Sequence, residues 1–349
     1  MKKSEFTIDQ DKSLIDALKK LNKITSYTDL TLFVKNKKKS IIGSITDGDI
    51  RRSLISKKNF NLKVGQVCNK NFSYLIDNDN YQDLEKFKSK NINLLPILNK
   101  NGTLKDLLDL RKVKSILPVE CVIMAGGRGK RLSPLTDKVP KPMLSLGNKP
   151  IIEHNIDNLI SFGIKKIYIS IRYLGEQIKD YFGDGSSKGI EIKYVWEDKP
   201  LGTAGSMSLI NDFIKENILL INSDLFTNVN LERMYKSLIS QKADMVIAST
   251  KYKVDIPYAV FKNDDDNRVI GFNEKPSYTF HSNAGIYMFK KQWISKIPID
   301  SFFDITDLMQ LIINNKKKII QVPILGYWID IGSPNDYKNA LETIKHFNE

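Results

Sequence analysis

The sequence predicts an α/β protein in which a mixed, mostly parallel sheet covered by helices follows a smaller α+β segment. From Val119 onward, short apolar strands alternate with helical patterns, as repeated βαβ units do. Before that point the chain contains two similar halves, each with a helical pattern, an apolar strand, a turn, a closing strand and a helix. A chain of 349 residues favours two domains. We expect these domains at 1–116 and 117–349.

The predicted elements of the second domain alternate regularly along the chain. In order, they are the strand VECVIMA, a helix at 150–162, the strand KKIYISI, a helix after Tyr173, the strand EIKYVWE, a helix after Gly202 and the strand NILLINSD. In such sheets, ligands bind at the carboxyl ends of the strands, and that is where the unusual residues of this sequence occur.

The composition excludes several classes of protein. Hydrophobic residues make up 41% and charged residues 27%, as in soluble globular proteins. No apolar run approaches the roughly 18 residues that span a bilayer, and the start MKKSEFTIDQ lacks the apolar segment of a signal peptide. We therefore expect a cytoplasmic protein with no membrane partner. Cys68 and Cys121 lie in unrelated contexts, which supports neither a disulfide framework nor a metal site.

The formal charge of +14 raises the possibility of a nucleic-acid partner. However, the lysines are spread along the chain, and the runs KNKKK and NNKKK contain no interleaved aromatic residues. Lysine-rich solvated faces and small phosphorylated substrates explain the charge better, so we expect no nucleic acid. The alternative predicts binding to DNA or RNA that weakens steeply with salt.

The first closing element, IIGSITDGDIRRSL at 41–54, carries a recognisable pattern. Its Gly43, Thr46 and Asp49 resemble the nucleotide-binding signature of CBS domains, which occur in tandem pairs. The resemblance implies that Thr46 and Asp49 contact the sugar and phosphate of an adenosine nucleotide. Alternatively, Asp49 is a carboxylate at a helix N-terminus that needs no ligand. A regulatory nucleotide site and a structural or dimer-forming role both stay open, and we expect a homo-oligomer.

The second half aligns with the first at an offset of 63 residues. This offset places Asp109 opposite Thr46 and Lys112 opposite Asp49. Because the carboxylate has become a lysine, we expect the second site to be empty.

The stretch CVIMAGGRGKRLSPLTDKVPKPM leads from an apolar strand into a glycine-rich, basic loop. It has neither the Lys-Ser/Thr ending of a P-loop nor the third glycine of the dinucleotide fingerprint. Gly126, Gly127 and Gly129 still permit a tight backbone whose N–H groups face an anion, and Arg131 and Lys141 add cations. A triphosphate would satisfy this arrangement. Taken alone, the loop could also be an ordinary turn between a strand and a helix.

The full pattern GGxGxRLxPLT…PKPM resembles the sugar-1-phosphate nucleotidyltransferases, over about 119–345 of this chain. The resemblance implies a Rossmann-like catalytic domain in which Ala125 and the three glycines bind the nucleotide. It also implies that Arg131 and Lys141 stabilise the phosphates during transfer. The alternative for both side chains is that they are ordinary surface cations.

Three further motifs extend the resemblance to the nucleotide base and the metal. In WEDKPLGTAGSM, it implies that Glu197, Gly202 and Thr203 contact the base, although Gly202 and Thr203 could merely cap the following helix. In NILLINSDLF and YWIDIGSPNDY, it implies that Asp224 and Asp330 bind Mg²⁺, which prefers carboxylates combined with phosphate oxygens and water.

The sugar end is implied by NEKPS and SNAGIYMF. The resemblance assigns Glu274 to the sugar hydroxyls, Lys275 to the sugar phosphate and Asn283 to the sugar. As alternatives, Glu274 and Lys275 could form an exposed ion pair in a turn, and Asn283 could be an ordinary turn residue.

Together these motifs predict Mg²⁺-assisted, in-line transfer of a nucleotidyl group from a nucleoside triphosphate to a sugar-1-phosphate, with release of pyrophosphate. The PLGTAG segment with Glu197 resembles guanylyltransferases, which favours GTP. A CBS pair ahead of this domain resembles bacterial guanylyltransferases of legionaminic acid biosynthesis, which convert glucosamine-1-phosphate to GDP-glucosamine for glycan biosynthesis. The alternatives are a mannose-1-phosphate guanylyltransferase or another sugar-1-phosphate nucleotidyltransferase, a catalytically silent nucleotide-binding subunit, and a cytidylyltransferase acting on a sialic-type acid.

Overall fold

The computed structural model describes residues 3–24, 30–57, 59, 61–78 and 80–346. The chain divides into two compact units, Met1–Ile116 and Leu117–Glu349. Each unit has its own sheets and its own buried apolar clusters. Within the described residues, no helix is both long enough and apolar enough to cross a bilayer.

The N-terminal unit contains two small sheets with the same topology. Its strands are β1 (Thr7–Asp9), β2 (Thr31–Lys35), β3 (Ile41–Thr46), β4 (Leu75–Ile76), β5 (Leu94–Leu98) and β6 (Leu104–Asp109). Its helices are α1 (Leu14–Lys23), α2 (Asp47–Lys57), α3 (Val64–Val67) and α4 (Glu85–Lys88). The sheets have the orders β1-β2-β3 and β4-β5-β6. In each, the first pair is parallel and the second antiparallel.

The repeat extends to the register of the hairpins. In the first half Thr31 pairs with Thr46, and in the second Leu94 pairs with Asp109, a shift of 63 residues in both strands. The register irregularity between Val34 and Lys35 recurs between Ile97 and Leu98 at the same shift. The two hairpins are therefore equivalent residue by residue.

The closing helix predicted for the second half is wrong. In the first half, the Thr46 hydroxyl and Asp49 bond each other's backbone N–H groups at 3.2 and 2.9 Å, a reciprocal cap that starts α2. In the second half, Asp109 instead accepts both Nε and a terminal nitrogen of Arg111 at 2.8 Å, which closes a turn. With Lys112 in the position of Asp49, the reciprocal cap cannot form.

The C-terminal unit carries the larger sheet. Its strands are β7 (Val119–Ala125), β8 (Ser145–Leu146), β9 (Lys149–Pro150), β10 (Lys166–Ile171), β11 (Glu191–Trp196), β12 (Asn217–Asn222), β13 (Leu225–Thr227), β14 (Met245–Asp255), β15 (Val260–Asn263), β16 (Val269–Asn273), β17 (Ser277–Lys290), β18 (Ile319–Pro323) and β19 (Trp328–Asp330). Its helices are α5 (Ile151–Ser161), α6 (Gly175–Phe182), α7 (Leu231–Ser240), α8 (Ile305–Asn314) and α9 (Pro334–Lys345).

The main sheet is mixed and mostly parallel, which confirms the predicted fold class. Its strand order is β11-β10-β7-β12-β17-β14-β18. Strand β17 runs antiparallel to both of its neighbours, while the other pairings are parallel. Successive residues Cys121, Val122 and Ile123 of β7 are all fully buried. Because successive side chains of a strand point to opposite faces, both faces of the sheet are covered at β7.

The helix predicted after Gly202 is wrong, because this segment forms only a short 3₁₀ helix, Gly205–Leu209. The backbone N–H groups of Ala204 and Gly205 both donate to the carbonyl of Phe303 at 3.0 Å. The segment is thus bonded to a distant part of the chain, and its glycines add little helix propensity.

A buried carboxylate ties the start of the sheet to the loop before β12. Glu120 is 2% exposed, and its Oε2 accepts the backbone N–H groups of Ile214 and Lys215 at 2.7 and 2.8 Å. Its Oε1 lies 3.2 Å from the Lys166 ammonium. The hydrogen bonds and the nearby Glu120 charge raise the pKa of Lys166 in spite of its desolvation. These contacts satisfy a charge that would otherwise be costly to bury.

We expect Glu120→Ala to lower the free energy of unfolding of the C-terminal unit by about 3 kcal/mol, because it removes the acceptor of two backbone N–H groups and one of the two carboxylates that contact the Lys166 ammonium, Asp212 being the other. Chemical denaturation followed by tryptophan fluorescence measures this. Glu191→Ala, which removes an exposed carboxylate on β11, serves as the control and should change stability by less than about 0.5 kcal/mol. Equal effects of the two substitutions would contradict the proposed role of Glu120.

Candidate active site

A cavity of about 460 Å³ lies at the carboxyl ends of β7, β10, β11 and β12, where the fold predicts a ligand. Most residues implied at the nucleotide and the phosphates line it. They are Gly126, Gly127, Gly129, Arg131, Lys141, Glu197, Gly202, Thr203 and Asp224. The structure therefore brings together side chains separated by nearly a hundred residues in the sequence. Ala125 is buried at the end of β7 and precedes these glycines.

The glycine loop closes tightly against Lys141. Gly129 has a left-handed φ of +66°, and a Cβ built there would lie 3.0 Å from the Cβ of Lys141. The Thr136 hydroxyl donates to the Gly129 carbonyl at 2.9 Å, which fixes the loop from its other side. A glycine is therefore needed at this position for both the backbone conformation and the close approach.

Two cations and two carboxylates meet beside this loop. Lys141 is 8% exposed and forms an ion pair with Asp224, which lies in the turn between β12 and β13. Pairing of β13 with β19 places Leu225 opposite Asp330, and the Ile331 N–H donates to the Asp224 carbonyl at 3.0 Å. The two aspartates therefore lie at adjacent positions of one small sheet.

Arg131 completes this group of charges. A Cβ built at Gly332, two residues after Asp330, would lie 3.5 Å from a terminal nitrogen of Arg131. Both Arg131 and Lys141 act electrostatically on Asp330. Sequence reasoning selected all four charged residues of this group. The fold brings Arg131, Lys141 and Asp224 into the lining of the cavity and Asp330 close beside them.

The donor set of this group fits Mg²⁺. Asp330 is accessible to water, but the surrounding protein partly desolvates it, and this desolvation together with the Asp224 charge raises the pKa of its carboxyl. Two neighbouring carboxylates that disfavour each other's charge gain from a shared cation. Mg²⁺ typically takes one or two protein carboxylates and completes its shell with phosphate oxygens and water.

Glu197 lies at the opposite end of the cavity and is 7% exposed. Its Oε1 accepts the Ser170 hydroxyl, and its Oε2 accepts the Leu201 N–H at 3.2 Å. A Cβ at Gly126 would lie 2.9 Å from Oε1, so the glycine makes room for the carboxylate. Glu197 is thus held in one orientation before any ligand binds.

Thr203 forms a contact that the sequence did not predict. Its N–H and hydroxyl donate to the Asp304 carboxylate at 2.9 and 3.0 Å, and the hydroxyl accepts the Ile305 N–H at 2.8 Å. Thr203 therefore joins the PLGTAG segment to the start of α8, a helix about a hundred residues further on, rather than capping the helix that was predicted after it. The hydrogen bonds of the Thr203 side chain are therefore made within the protein, and Thr203 also lines the cavity.

The residues implied at the sugar are not brought into this cavity. Glu274 and Lys275 lie in the exposed turn between β16 and β17, and within the described residues they form no ion pair with each other. Asn283 lies within β17 rather than in a turn before it. It donates to the Tyr287 hydroxyl at 2.7 Å. Their sugar contacts stay predictions.

Sequence reasoning missed other residues that line the cavity, among them Arg172, Asn222 and Phe302. A signal for Arg172 was present, because it directly follows the apolar strand β10, just as Asp224 closely follows β12. Phe302 reaches the site through the contact of residues 303–305 with the PLGTAG segment, and no local motif marks that contact.

A glycine loop, paired cations and paired carboxylates at the ends of parallel strands define a protein that binds a nucleotide and transfers part of it. The family model for nucleotidyl transferases matches residues 120–346, and the chain belongs to this family and is an enzyme of that class. Residues 1–56 match the CBS domain, so the N-terminal unit begins with such a domain.

The chain is similar to individual known proteins over about two thirds of its length. The chain is 33% identical over 240 residues to a D-glycero-alpha-D-manno-heptose 1-phosphate guanylyltransferase of Aneurinibacillus thermoaerophilus, covering 66% of this chain and all of the relative. It is 29% identical over 224 residues to a mannose-1-phosphate guanylyltransferase of Mycobacterium tuberculosis, covering 63% and 62%. The crystal structure of HddC from Yersinia pseudotuberculosis complexed with GMP-PN superimposes with a TM-score of 0.50 at 25% identity, covering 64% and 99%.

We expect Asp330→Asn to raise the melting temperature of the metal-free protein at neutral pH. The raised pKa means that the folded state disfavours the ionised carboxylate, so stability falls as the pH rises from the unfolded value through the folded one. The neutral amide removes this penalty. Thermal melts in EDTA measure the shift, with Asp265→Asn, an exposed carboxylate in the β15–β16 turn, as control. A lower melting temperature for Asp330→Asn alone would contradict this reading of the site.

Proposed function

We propose that this enzyme transfers a guanylyl group from GTP to a sugar-1-phosphate, giving a GDP-sugar and pyrophosphate. The observation that carries the proposal is the meeting of the glycine loop, Arg131 and the Lys141–Asp224 pair at one end of a cavity, with Asp330 beside them. A catalytically silent nucleotide-binding subunit would not need to keep this complete set of charged groups together.

The reaction needs no protein nucleophile. An oxygen of the sugar phosphate is already ionised and attacks the α-phosphorus of the triphosphate, and the bond to the departing pyrophosphate breaks in line with it. The chain supplies position and charge. Arg131 stabilises charge on the pyrophosphate, and Lys141 moves from Asp224 to orient the phosphates. The glycine loop, with its backbone N–H groups, binds the triphosphate.

A magnesium ion belongs to this proposal. Asp224 and Asp330 would hold it, and when bound it would neutralise charge on the phosphate oxygens during transfer. With Asp224 holding the ion, the ammonium group of Lys141 would be free to contact the substrate. In Asp330→Asn, Mg²⁺-dependent turnover should therefore fall.

Guanine is favoured by the carboxylate at the other end of the cavity. Glu197 is fixed by Ser170 and Leu201, and it faces the ligand as an acceptor. Guanine presents two adjacent donors, N1–H and the N2 amino group, which suit a carboxylate. The heptose and mannose relatives are named as guanylyltransferases, and HddC was crystallised in complex with GMP-PN, both of which agree with this choice.

For the sugar, we favour glucosamine-1-phosphate and a place in legionaminic acid biosynthesis, because the chain combines an N-terminal CBS domain with this catalytic unit. Mannose-1-phosphate and a heptose-1-phosphate are the candidates suggested by the relatives. A cytoplasmic location belongs to the same proposal, and the buried free thiols Cys68 and Cys121 are compatible with it.

At the N-terminal unit, binding of an adenosine nucleotide by Thr46 and Asp49 stays a prediction. Both side chains already cap α2 reciprocally, and Asp49 also pairs with Arg52 at 2.6 Å. A ligand there would have to use the groups that start the helix. A homo-oligomeric state likewise stays a prediction.

The substrate pair is tested by measuring pyrophosphate release with Mg²⁺, each of GTP, ATP, UTP, CTP and dTTP, and the 1-phosphates of glucosamine, N-acetylglucosamine, mannose, glucose and a manno-heptose. We expect release with GTP and glucosamine-1-phosphate above all other pairs. Release with GTP and another sugar would overturn only the sugar assignment. Release only with another nucleotide would overturn the guanine assignment and keep the reaction class.

Lys141→Ala should reduce turnover by about 10²–10³-fold, the scale for one preorganised charge donor. Lys141→Arg should recover part of the loss, because it keeps a cation at the site. Lys179→Ala removes an exposed lysine of α6 and should leave turnover unchanged. Melting curves measure the loss of stability caused by breaking the Lys141–Asp224 pair, and turnover measures the loss of catalysis. Turnover of a folded Lys141→Ala enzyme within about threefold of wild type would contradict the assignment of Lys141 to the phosphates.

A further inference from the structure

Arg172 is a half-buried cation in the cavity that neither the sequence motifs nor the proposed mechanism uses. It follows the last residue of β10 and lines the cavity. Its Nε is buried and has no hydrogen-bond partner within the described part of the chain. Most buried donors in folded proteins are paired, and an unpaired one costs free energy. An arginine that lines a ligand cavity and has an unpaired donor indicates that a bound ligand supplies an acceptor to its guanidinium.

The register of the sheet fixes where Arg172 stands. Ile171 of β10 pairs with Ala125 of β7 on one side and with Trp196 of β11 on the other. The next residues along these three strands are Gly126, Arg172 and Glu197. Neighbouring strands lie about 4.8 Å apart, so these three residues are adjacent at the sheet edge. Asp224 follows β12, which lies on the far side of β7.

The backbone that carries Arg172 is held in place from both directions along the chain. Before it, β10 is paired on both sides. After it, the Tyr173 hydroxyl donates to the Asp137 carbonyl at 3.0 Å, and Gln177 donates to the Lys138 carbonyl at 2.9 Å. These bonds tie the segment after Arg172 to the loop that precedes Lys141. The arginine is therefore positioned before the ligand arrives, as a specificity contact requires.

The neighbouring carboxylate shows which part of a nucleotide lies here. Glu197 would repel phosphate oxygens, so the phosphates belong at the Lys141 end and the base at the Glu197 end. A base bound here must present an acceptor to Arg172 and, beside it, donors to Glu197. Guanine does so, with O6 next to N1–H and the N2 amino group. Adenine would direct its N6 amino group at the arginine, and uracil would direct O2 at the carboxylate.

We propose that Arg172 donates to O6 of the guanine base while Glu197 accepts from N1–H and the N2 amino group, so that the two side chains together select GTP. This inference rests on the proposed function, which supplies the guanine nucleotide, and it adds the residue that reads its acceptor edge. Arginine paired with guanine O6 is also the commonest base-specific contact made by proteins on DNA.

The test measures dissociation constants of GTP, ITP and 2-aminopurine riboside triphosphate for the full-length protein with Mg²⁺, by calorimetry, and that of ATP for the wild type. ITP keeps O6 and N1–H and lacks the amino group, whereas the 2-aminopurine nucleotide keeps the amino group and lacks both O6 and N1–H. For wild type, we expect the 2-aminopurine nucleotide to bind about 10- to 100-fold more weakly than GTP. In Arg172→Met, GTP and ITP should bind about 10-fold more weakly while the 2-aminopurine nucleotide binds as before, so that its difference from GTP narrows by the same factor. The difference that remains reports the contact of N1–H with Glu197.

Two further variants keep the test specific. Arg172→Lys retains a positive charge without the planar fork, and it should recover at most part of the preference. Arg233→Met removes an exposed arginine of α7 and should change none of the three constants. Unchanged binding of the 2-aminopurine nucleotide also shows that Arg172→Met is folded.

The outcomes separate the two proposals. Equal weakening of all three nucleotides in Arg172→Met would overturn the inference in favour of a phosphate contact or a structural role. A preference for GTP over the 2-aminopurine nucleotide that is undiminished in Arg172→Met would overturn the inference alone. A wild-type protein that binds GTP no better than ATP would overturn the guanine assignment and this inference with it.

Discussion

An apolar cluster beneath the glycine loop holds the charged groups of the site together. Its buried members are Leu132, Leu144, Leu146, Ile151, Phe226, Ile331, Ala340 and Ile344. Leu132 follows Arg131 directly, Ile331 follows Asp330 directly, and Leu144 and Phe226 come within three residues of Lys141 and Asp224 respectively. Burial of these neighbours is favourable and non-directional, so it can fix backbone positions that electrostatics would oppose. The repulsion between Asp224 and Asp330 is offset by this burial and by Lys141.

The parallel sheet then sets the distance between the two ends of the cavity. In the proposed binding mode, the phosphate end depends on β12 and on the β13–β19 pair, and the base end depends on β10 and β11, with the glycine loop after β7 between them. The residues that directly follow β7, β10, β11 and β12 line the same cavity, because the carboxyl ends of parallel strands meet at one edge of the sheet. A nucleoside triphosphate bound in this way would meet cations at one end and the Arg172–Glu197 pair at the other.

Much of this arrangement could be predicted from the sequence because it depends on local patterns. Charged residues that closely follow apolar strands, such as Asp224, indicate the carboxyl edge of the sheet. The glycines of the loop indicate a tight backbone conformation. Two features could not be predicted in this way. They are the absence of an α-helix after Gly202 and the hydrogen bonds between Thr203 and the Asp304 carboxylate. They depend on contacts between segments about a hundred residues apart, which no periodicity records. The cap lost in the second N-terminal half has a local cause instead, because Lys112 takes the position of Asp49 and Asp109 pairs with Arg111 two residues further on.

The residues predicted to contact the sugar and those predicted to contact the nucleotide lie on different kinds of secondary structure. Strands β14 and β17 lose regular register between Ile247 and Ser249, and beyond this point they continue as an antiparallel ribbon that ends near Glu274 and Lys275. Aromatic side chains there, including Tyr252 and Phe280, are exposed. The nucleotide end is fixed by a sheet buried on both faces, whereas the ribbon is packed far less. Substitutions on the ribbon therefore disturb the core little, and the sugar contacts proposed for Glu274 and Lys275 would vary independently of the nucleotide end.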